Sequence, residues 1–448
     1  MELRKKFLKF ALPSIASMWV FSLYTIVDGI FVARGVGETA MSAVNLSMPF
    51  TSLIYMIGIL LATGTSTIIS VALGRGELQE ARNYFNQTLA VTGAVSLLLT
   101  AAVLLYLEPA ALFLGATPDT LEYVKEYVGT IAVFAIFFTV SYNLEVQVKA
   151  NGAPQISTVG VLSCGLMNVA LDALFVLGFG WGVWGAALAT GLAQATATAV
   201  FIGYFLTHRQ RLRLGRFRPD LRLYRRIVPL GLSEGLNELS NGLIIFLFNH
   251  TILRVIGEQA LPAYTIISYV NTLVLMTMTG TAQGMQPLVS FSLGAGRRRE
   301  CHRLLKYGVA SAALFAVLSF ALAELGAPAI VAAFLTRESA VFSYSVSALR
   351  MYACVFLVLG FNVIFAAFFT AVERPVPAFS ISFSRSLVLL SASLLILPVR
   401  FGDRGIWFSP LVSELLCLTL TAGCAVRYFR GLRKADDTII PDNTPGDK

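Results

Sequence analysis

The sequence predicts an all-α membrane protein: about twelve transmembrane helices in two pseudo-symmetric bundles of six. Three observations lead there: a composition too apolar for water, basic residues confined to alternate joints, and a pattern of residues repeated between the halves. Of 448 residues, 56% are hydrophobic and only 13% charged, with a mean hydropathy of +0.73. A soluble chain carries about 25% charged residues, so lipid has to serve as solvent for much of this surface. Apolar stretches fall at 8–33, 41–72, 86–107, 128–148, 155–178, 184–207, 227–253, 261–293, 305–323, 343–371, 377–398 and 406–427. Each is long enough for about 30 Å of hydrocarbon, the longer ones with tilt or kinks.

The joints set the orientation. Arg34, Lys125, Arg254, Arg337, Arg350, Arg400 and Arg404 fall on one side of the membrane. Apart from Arg385, inside a span, every other Lys and Arg falls on the opposite side. Basic joints stay in the cytoplasm, which puts both termini there, in a multi-pass protein of the plasma membrane. The net charge of +9 then needs no nucleic-acid partner, because the basic residues recur at every second joint and form no single surface.

The first span follows a basic start, Met1-Glu-Leu-Arg-Lys-Lys6. It runs past residue 30 without a small-residue cleavage site, so it reads as a membrane helix and not as a signal peptide. It carries Asp28. The fourth span ends in Asn143, Glu145 and Gln147 beside Lys149. That run reads as a solvated helix end, with Asn143 kept as a candidate for a solute cavity.

The fifth span carries Asn168 and Asp172, one turn apart on one face, and the sixth carries Thr190. At 1.5 Å per residue, Asp28 and Asp172 both lie about 25 Å above the cytoplasmic ends of their spans, and Thr190 about 9 Å below the outer start of its own. All four groups therefore share a level. A charged side chain at the bilayer centre costs at least about 2.5–3.5 kcal/mol, so intramembrane acids mark pathways. Two carboxylates, an amide and a hydroxyl make an all-oxygen set. It suits a hard cation such as Na⁺, or one proton held between two acids that cannot comfortably ionise side by side.

The joint His208–Arg226 is rich in Arg and divides the chain into matching halves. Arg34-Gly-Val-Gly-Glu-Thr-Ala40 matches Arg254-Val-Ile-Gly-Glu-Gln-Ala260, and Gly74-Arg-Gly76 matches Gly294-Ala-Gly296. Pro154 matches Pro377, and Gly182-Val-Trp184 matches Gly405-Ile-Trp407. Six spans per half is an even number, so the halves share one orientation and the solute path is expected between them. The expected organisation is a first bundle over 1–207, a basic cytoplasmic linker over 208–226, a second bundle over 227–430, and a disordered cytoplasmic tail over 431–448.

In the second half, Glu234, Asn237, Glu238 and Asn241 follow Pro229 in the seventh span. Glu238, with Gln283 in the eighth span and Asn362 in the tenth, is a candidate cavity residue; Gln286 and Glu414 are similar. The positions matching Asn168 and Asp172 are Ser391 and Leu395, so the ion set belongs to the first half. Met276, Met278 and Met285 with Tyr264 and Tyr269 suit an adaptable apolar pocket, or simple packing. The five Cys are scattered without a CxxC and read as small core residues. The three His show no ligand spacing, and no phosphate loop, nucleophile elbow or zinc pattern appears. Neither catalysis nor a cofactor beyond a coupling ion is expected.

The stretch Val27-Asp-Gly-Ile-Phe-Val-Ala-Arg-Gly-Val-Gly37, Gly74-Arg-Gly76 with Ala81-Arg82, Asn168-Val-Ala-Leu-Asp-Ala-Leu-Phe175 and Gly182-Val-Trp-Gly-Ala-Ala-Leu-Ala-Thr190 together resemble the multidrug and toxic compound extrusion (MATE) family over nearly the whole chain. The wider group includes lipid and oligosaccharide flippases. The resemblance implies two six-helix bundles around a central cleft, and export of small organic compounds driven by H⁺ or Na⁺. It maps the cation-binding set of the first bundle onto Asp28, Asn168, Asp172 and Thr190. The second acid that some relatives carry is not evident, and Asn362 stands where an acid might. An acidic cavity suits cationic or amphipathic solutes, and a cleft inside one chain requires no second copy. The rival expectations are a lipid-linked saccharide flippase, which would want a basic, phosphate-binding cavity, an integral-membrane enzyme, and a channel.

Overall fold

The computed structural model describes residues 2–207 and 211–439, which form helices and no strand. The first half comprises α1 (Glu2–Gly35), α2 (Glu38–Arg75), α3 (Leu78–Leu105), a short α4 (Leu107–Phe113), α5 (Leu121–Ala150), α6 (Pro154–Asp172) and α7 (Gly182–Thr207). The second comprises α8 (Tyr224–Val255), α9 (Leu261–Gly294), α10 (Arg298–Ala332), α11 (Phe342–Ala353), α12 (Phe356–Ala371), α13 (Pro375–Phe383) and α14 (Leu390–Ile439). Among the described residues, nine helices are long and apolar enough to cross a bilayer, and α11 with α12, bent by 42°, adds a tenth. The run from Pro375 counts once there, yet it is two spans, broken where Gly402 leaves helical geometry at φ 58°. Helix α8 is as long as its neighbours and polar only through residues such as Glu234, Asn237, Glu238 and Asn241. The twelve expected spans are thereby accounted for.

Each half buries its own apolar side chains. Val32, Ile54, Val128 and Val176 belong to one cluster of the first half, and Phe85, Leu144 and Phe201 to another. A single large cluster in the second half gathers Ile267, Phe356, Phe368 and Trp407, and Phe7, Phe10 and Ala11 of α1 reach into it.

The halves meet at the end that carries the basic joints, through α1 on α9 and α2 on α8 and α9. Small residues let backbones touch there, as membrane helices require when no hydrophobic force separates them from lipid. A Cβ built on Gly74 would stand 2.1 Å from the Phe291 carbonyl oxygen, and one on Gly294 would stand 2.0 Å from that of Val71. The two contacts are reciprocal, and Gly74 and Gly294 are matched positions of the repeat. Among the described residues, side-chain hydrogen bonds cross this seam no higher than Trp19 Nε1–H to Thr277 Oγ1, 2.9 Å. Beyond it the bundles enclose a central cavity between them.

The linker is strapped down. Asn83, Asn86 and Gln87, on one side of α3 at helical spacing, bond its main chain: Asn86 to the Arg213 carbonyl and the Gly215 amide, Asn83 to both main-chain groups of Arg218, and Gln87 to both of Asp220. Asn151 accepts from the Leu212 amide. Residues 431–439, expected in a disordered tail, continue α14 instead. Leu432, Arg433, Lys434 and Ala435 are good helix formers, and no Pro intervenes before Pro441. The remaining tail, 440–448, lies outside the described residues, as do 208–210 of the linker.

Candidate functional site

The first-half acids converge. Asp28 lies beside Asp172 and Asn168, and Asn168 Nδ2–H points at Thr190 Oγ1, 3.5 Å away. Asn168 and Asp172 are buried, and Asp28 and Thr190 half-buried. Asp28 Oδ1, both carboxylate oxygens of Asp172 and Asn168 Oδ1 are buried without a hydrogen-bond donor. Buried acceptors are normally paired, so oxygens left bare together suit a proton or a hard cation. The backbone brings them there. Immediately after Asp172 the α6 helix widens into a π-helical turn, Ala173–Gly178. Val176 of this turn buries with Val32 of α1, which clamps the outer ends of the two acid-bearing helices together.

The central cavity, about 490 Å³, is separate: none of these four residues lines it. Its walls are aromatic in the first half, with Phe21, Tyr24, Tyr55 and Phe138, and more polar in the second, with Asn237, Glu238, Asn241 and Arg385. Of the residues expected there, Glu238, Gln283 and Asn362 line it and Asn143 does not. Asn143 is buried and its amide reaches Thr92 Oγ1 at 3.2 Å, so it joins α5 to α3 inside the first bundle.

The polar end of the fourth span is not solvated, contrary to the expectation from its place next to a basic joint. Glu145, Gln147 and Lys149 are all buried. Lys149 Nζ donates to Glu145 Oε1 at 2.8 Å and to Gln283 Oε1 of the second half at 2.8 Å. Ser157 Oγ donates to the same Glu145 oxygen at 2.9 Å. Across the seam, Glu234 accepts from Gln286 Nε2 at 2.5 Å and from Thr63 Oγ1 at 3.0 Å. These residues floor the cavity. The Glu-to-Lys spacing of four along a helix was the available signal, and nearness to the joint masked it.

The second half holds a different centre. Arg385 sits in a π-helical turn, Ser384–Leu389, which links α13 to α14. Its Nε–H donates to Glu414 Oε1 at 2.6 Å. Asn362 Nδ2–H donates to Glu414 Oε2 at 2.7 Å, and Thr421 Oγ1 to Asn362 Oδ1 at 2.7 Å. Glu414 is therefore matched by a cation. Arg385 stood out in the sequence as an Arg inside a span, but nothing there named its partner.

Similar proteins give a consistent picture. The MatE family model matches residues 13–174 and 236–394. The multidrug export protein MepA of Staphylococcus aureus is 24% identical over 420 residues, 92% of this chain and 91% of the relative; that of Staphylococcus saprophyticus is 24% identical over 421 residues, with the same coverage. A solved outward-facing multidrug resistance MATE family transporter of the MOP superfamily superposes with a TM-score of 0.91 at 21% identity, covering 96% of this chain and 97% of the other. The MATE multidrug transporter DinF-BH, solved as a complex, gives 0.86 at 27% identity, covering 94% and 95%.

Proposed function

The chain belongs to the MatE family of membrane transporters, and we propose that it exports small cationic or amphipathic organic compounds by alternating access, in exchange for H⁺ or Na⁺. The observation that carries this reading is the group of bare, buried oxygens at Asp28, Asn168 and Asp172, in the wall of a bundle whose other face lines the solute cavity. With the basic joints in the cytoplasm, the closed seam faces inward and the cavity opens outward. The MepA proteins are named as multidrug exporters, which agrees with an aromatic, partly acidic cavity.

Coupling follows from the connectivity of α1. This helix carries Asp28 at its outer half and Ala11 at the seam, where the Ala11 backbone lies 2.6 Å from a Cβ built on Gly284. Pro13 lies between them inside the helix, where it removes one backbone hydrogen bond and makes a natural bending point. Neutralising the acid pair therefore acts on the same rod that closes the inner seam. Exchange requires only that ion and solute favour opposite states. Reversing a 1:99 balance between them takes about 5.5 kcal/mol of differential binding.

The test is ethidium efflux from loaded proteoliposomes under imposed Na⁺ or H⁺ gradients, wild type beside Asp172→Asn. Gradient-driven efflux lost in the mutant supports exchange through this site, and the effective gradient names the ion. Efflux intact in the mutant removes Asp172 from the mechanism. No efflux under either gradient, with folded protein, points instead to a flippase.

A further inference from the structure

We propose that the basic linker between the halves is a binding site for an anionic phospholipid of the cytoplasmic leaflet. Arg216, Arg218 and Arg222 receive the headgroup phosphate, and Phe217 and Leu221 meet the upper part of the acyl chains.

Basic joints are expected on the cytoplasmic side of any membrane protein, and several arginines of this face have a partner within the protein. Arg75 pairs with Glu77, Arg297 with Glu300 and Arg226 with Glu373. The linker differs. Arg216, Arg218, Arg222 and Arg225 are all exposed, and no hydrogen bond or ion pair engages their side chains among the described residues. Asp220, the one acid between 211 and 226, has a carboxylate oxygen on the Arg222 amide at 2.9 Å.

The main chain beneath these arginines is fixed. Asn83, Asn86 and Gln87 bond it between Arg213 and Asp220, and Arg82 Nε–H donates to the Arg211 carbonyl at 2.8 Å. Leu212 is buried in the first half, with Leu214 packed against the same cluster. A joint of this composition is ordinarily mobile. Held this way, its side chains need less ordering when a ligand arrives.

The strap also sets the depth. Gln87 stands at the start of the apolar stretch 86–107, so the linker follows the boundary where hydrocarbon gives way to headgroups. Helix α3 leaves Leu97, Leu98 and Leu105 exposed, as a flank turned to lipid does. Among the arginines, Phe217 is 37% and Leu221 80% exposed. Apolar side chains alternating with arginine suit the membrane interface, where each finds its own solvent. A phosphate matches the guanidinium fork with paired bonds, and the anionic leaflet draws basic segments toward it. A soluble acidic partner would use the charge and leave Phe217 and Leu221 without a role.

The experiment measures binding of phosphatidylglycerol and phosphatidylcholine, each labelled on an acyl chain, to the purified full-length protein by fluorescence polarisation in detergent. Arg216→Gln with Arg218→Gln and Arg222→Gln should weaken phosphatidylglycerol at least about tenfold and leave phosphatidylcholine within twofold. Arg297→Gln with Arg299→Gln and Arg303→Gln removes the same charge from another cytoplasmic joint and should cost less than threefold. Asn83→Ala with Asn86→Ala keeps every arginine but loosens the strap, and should weaken phosphatidylglycerol severalfold. Equal losses from the two triple variants would mean charge attraction alone and overturn the proposal, as would full affinity with the strap loosened. Inorganic phosphate that displaces the label as well as unlabelled phosphatidylglycerol does would make this a free-anion site and overturn the lipid assignment. Should the linker triple variant melt early, Arg218→Gln alone must show the same selective loss, at least threefold.

Discussion

In the first half, Asp28 lies beside Asn168 and Asp172, with buried oxygens that lack a hydrogen-bond partner and with no cation beside them among the described residues. In the second, Glu414 is held by Arg385 at 2.6 Å and by Asn362 at 2.7 Å. Both centres are buried and polar, and each sits beside a π-helical turn. They differ in whether the protein supplies its own counter-charge. An acid pair without one keeps its affinity for an ion that comes and goes. An acid already matched has that affinity engaged in holding helices together. Two halves of one repeated pattern can therefore share a scaffold while one is read as the ion port and the other as a structural brace facing the solute.

The largest expected effect breaks the comparison directly. Asp172→Asn should reduce gradient-driven ethidium efflux to background, while leaving thermal stability unchanged or slightly raised, because it removes one charge from a buried pair of acids. Efflux in proteoliposomes and melting in detergent, measured on the same preparation, check both halves of the statement. Glu414→Ala should do the reverse to stability. Stranding Arg385 in the second half costs about 3–5 kcal/mol, and replacing both partners by apolar residues, as in Arg385→Met with Glu414→Leu, should recover most of it. A Glu414→Ala protein as stable as wild type would show that this centre is no brace.

Smaller effects sharpen the contrast between moving and fixed parts. Gly294→Val places side-chain atoms against the Val71 carbonyl, so the inner seam should open. In a cysteine-free background, Ala11→Cys should then react severalfold faster with a membrane-impermeant thiol reagent applied from the basic side. Asn86→Ala removes two bonds to the linker backbone, each worth about 0.5–1.5 kcal/mol. Tryptic cleavage of the linker should quicken, with ethidium efflux unchanged. Thr190→Ala, at the rim of the proposed ion site and 3.5 Å from Asn168, should weaken apparent ion affinity by no more than about tenfold, the worth of one neutral hydrogen bond.

Much of this protein was determined by sequence alone. Twelve spans, the position of the Arg-rich joint, the repeat and the level shared by Asp28 and Asp172 follow from composition and spacing, because the bilayer imposes one length and one polarity rule on every span. The bare acids were legible for the same reason: a charge in hydrocarbon is costly wherever it lies, so it stands out one residue at a time. What spacing could not supply was partnership. Lys149 reads as a joint residue until Glu145 and Gln283 are seen around it, and Asn143 reads as a cavity residue until Thr92 is seen beneath it. The pairing of Arg385 with Glu414, the strap that Asn83, Asn86 and Gln87 lay across the linker, and the reciprocal contact of Gly74 and Gly294 likewise join residues far apart in the chain. Only tertiary structure decides which of many polar side chains meet, because each such bond depends on the packing of two helices and not on the periodicity of either.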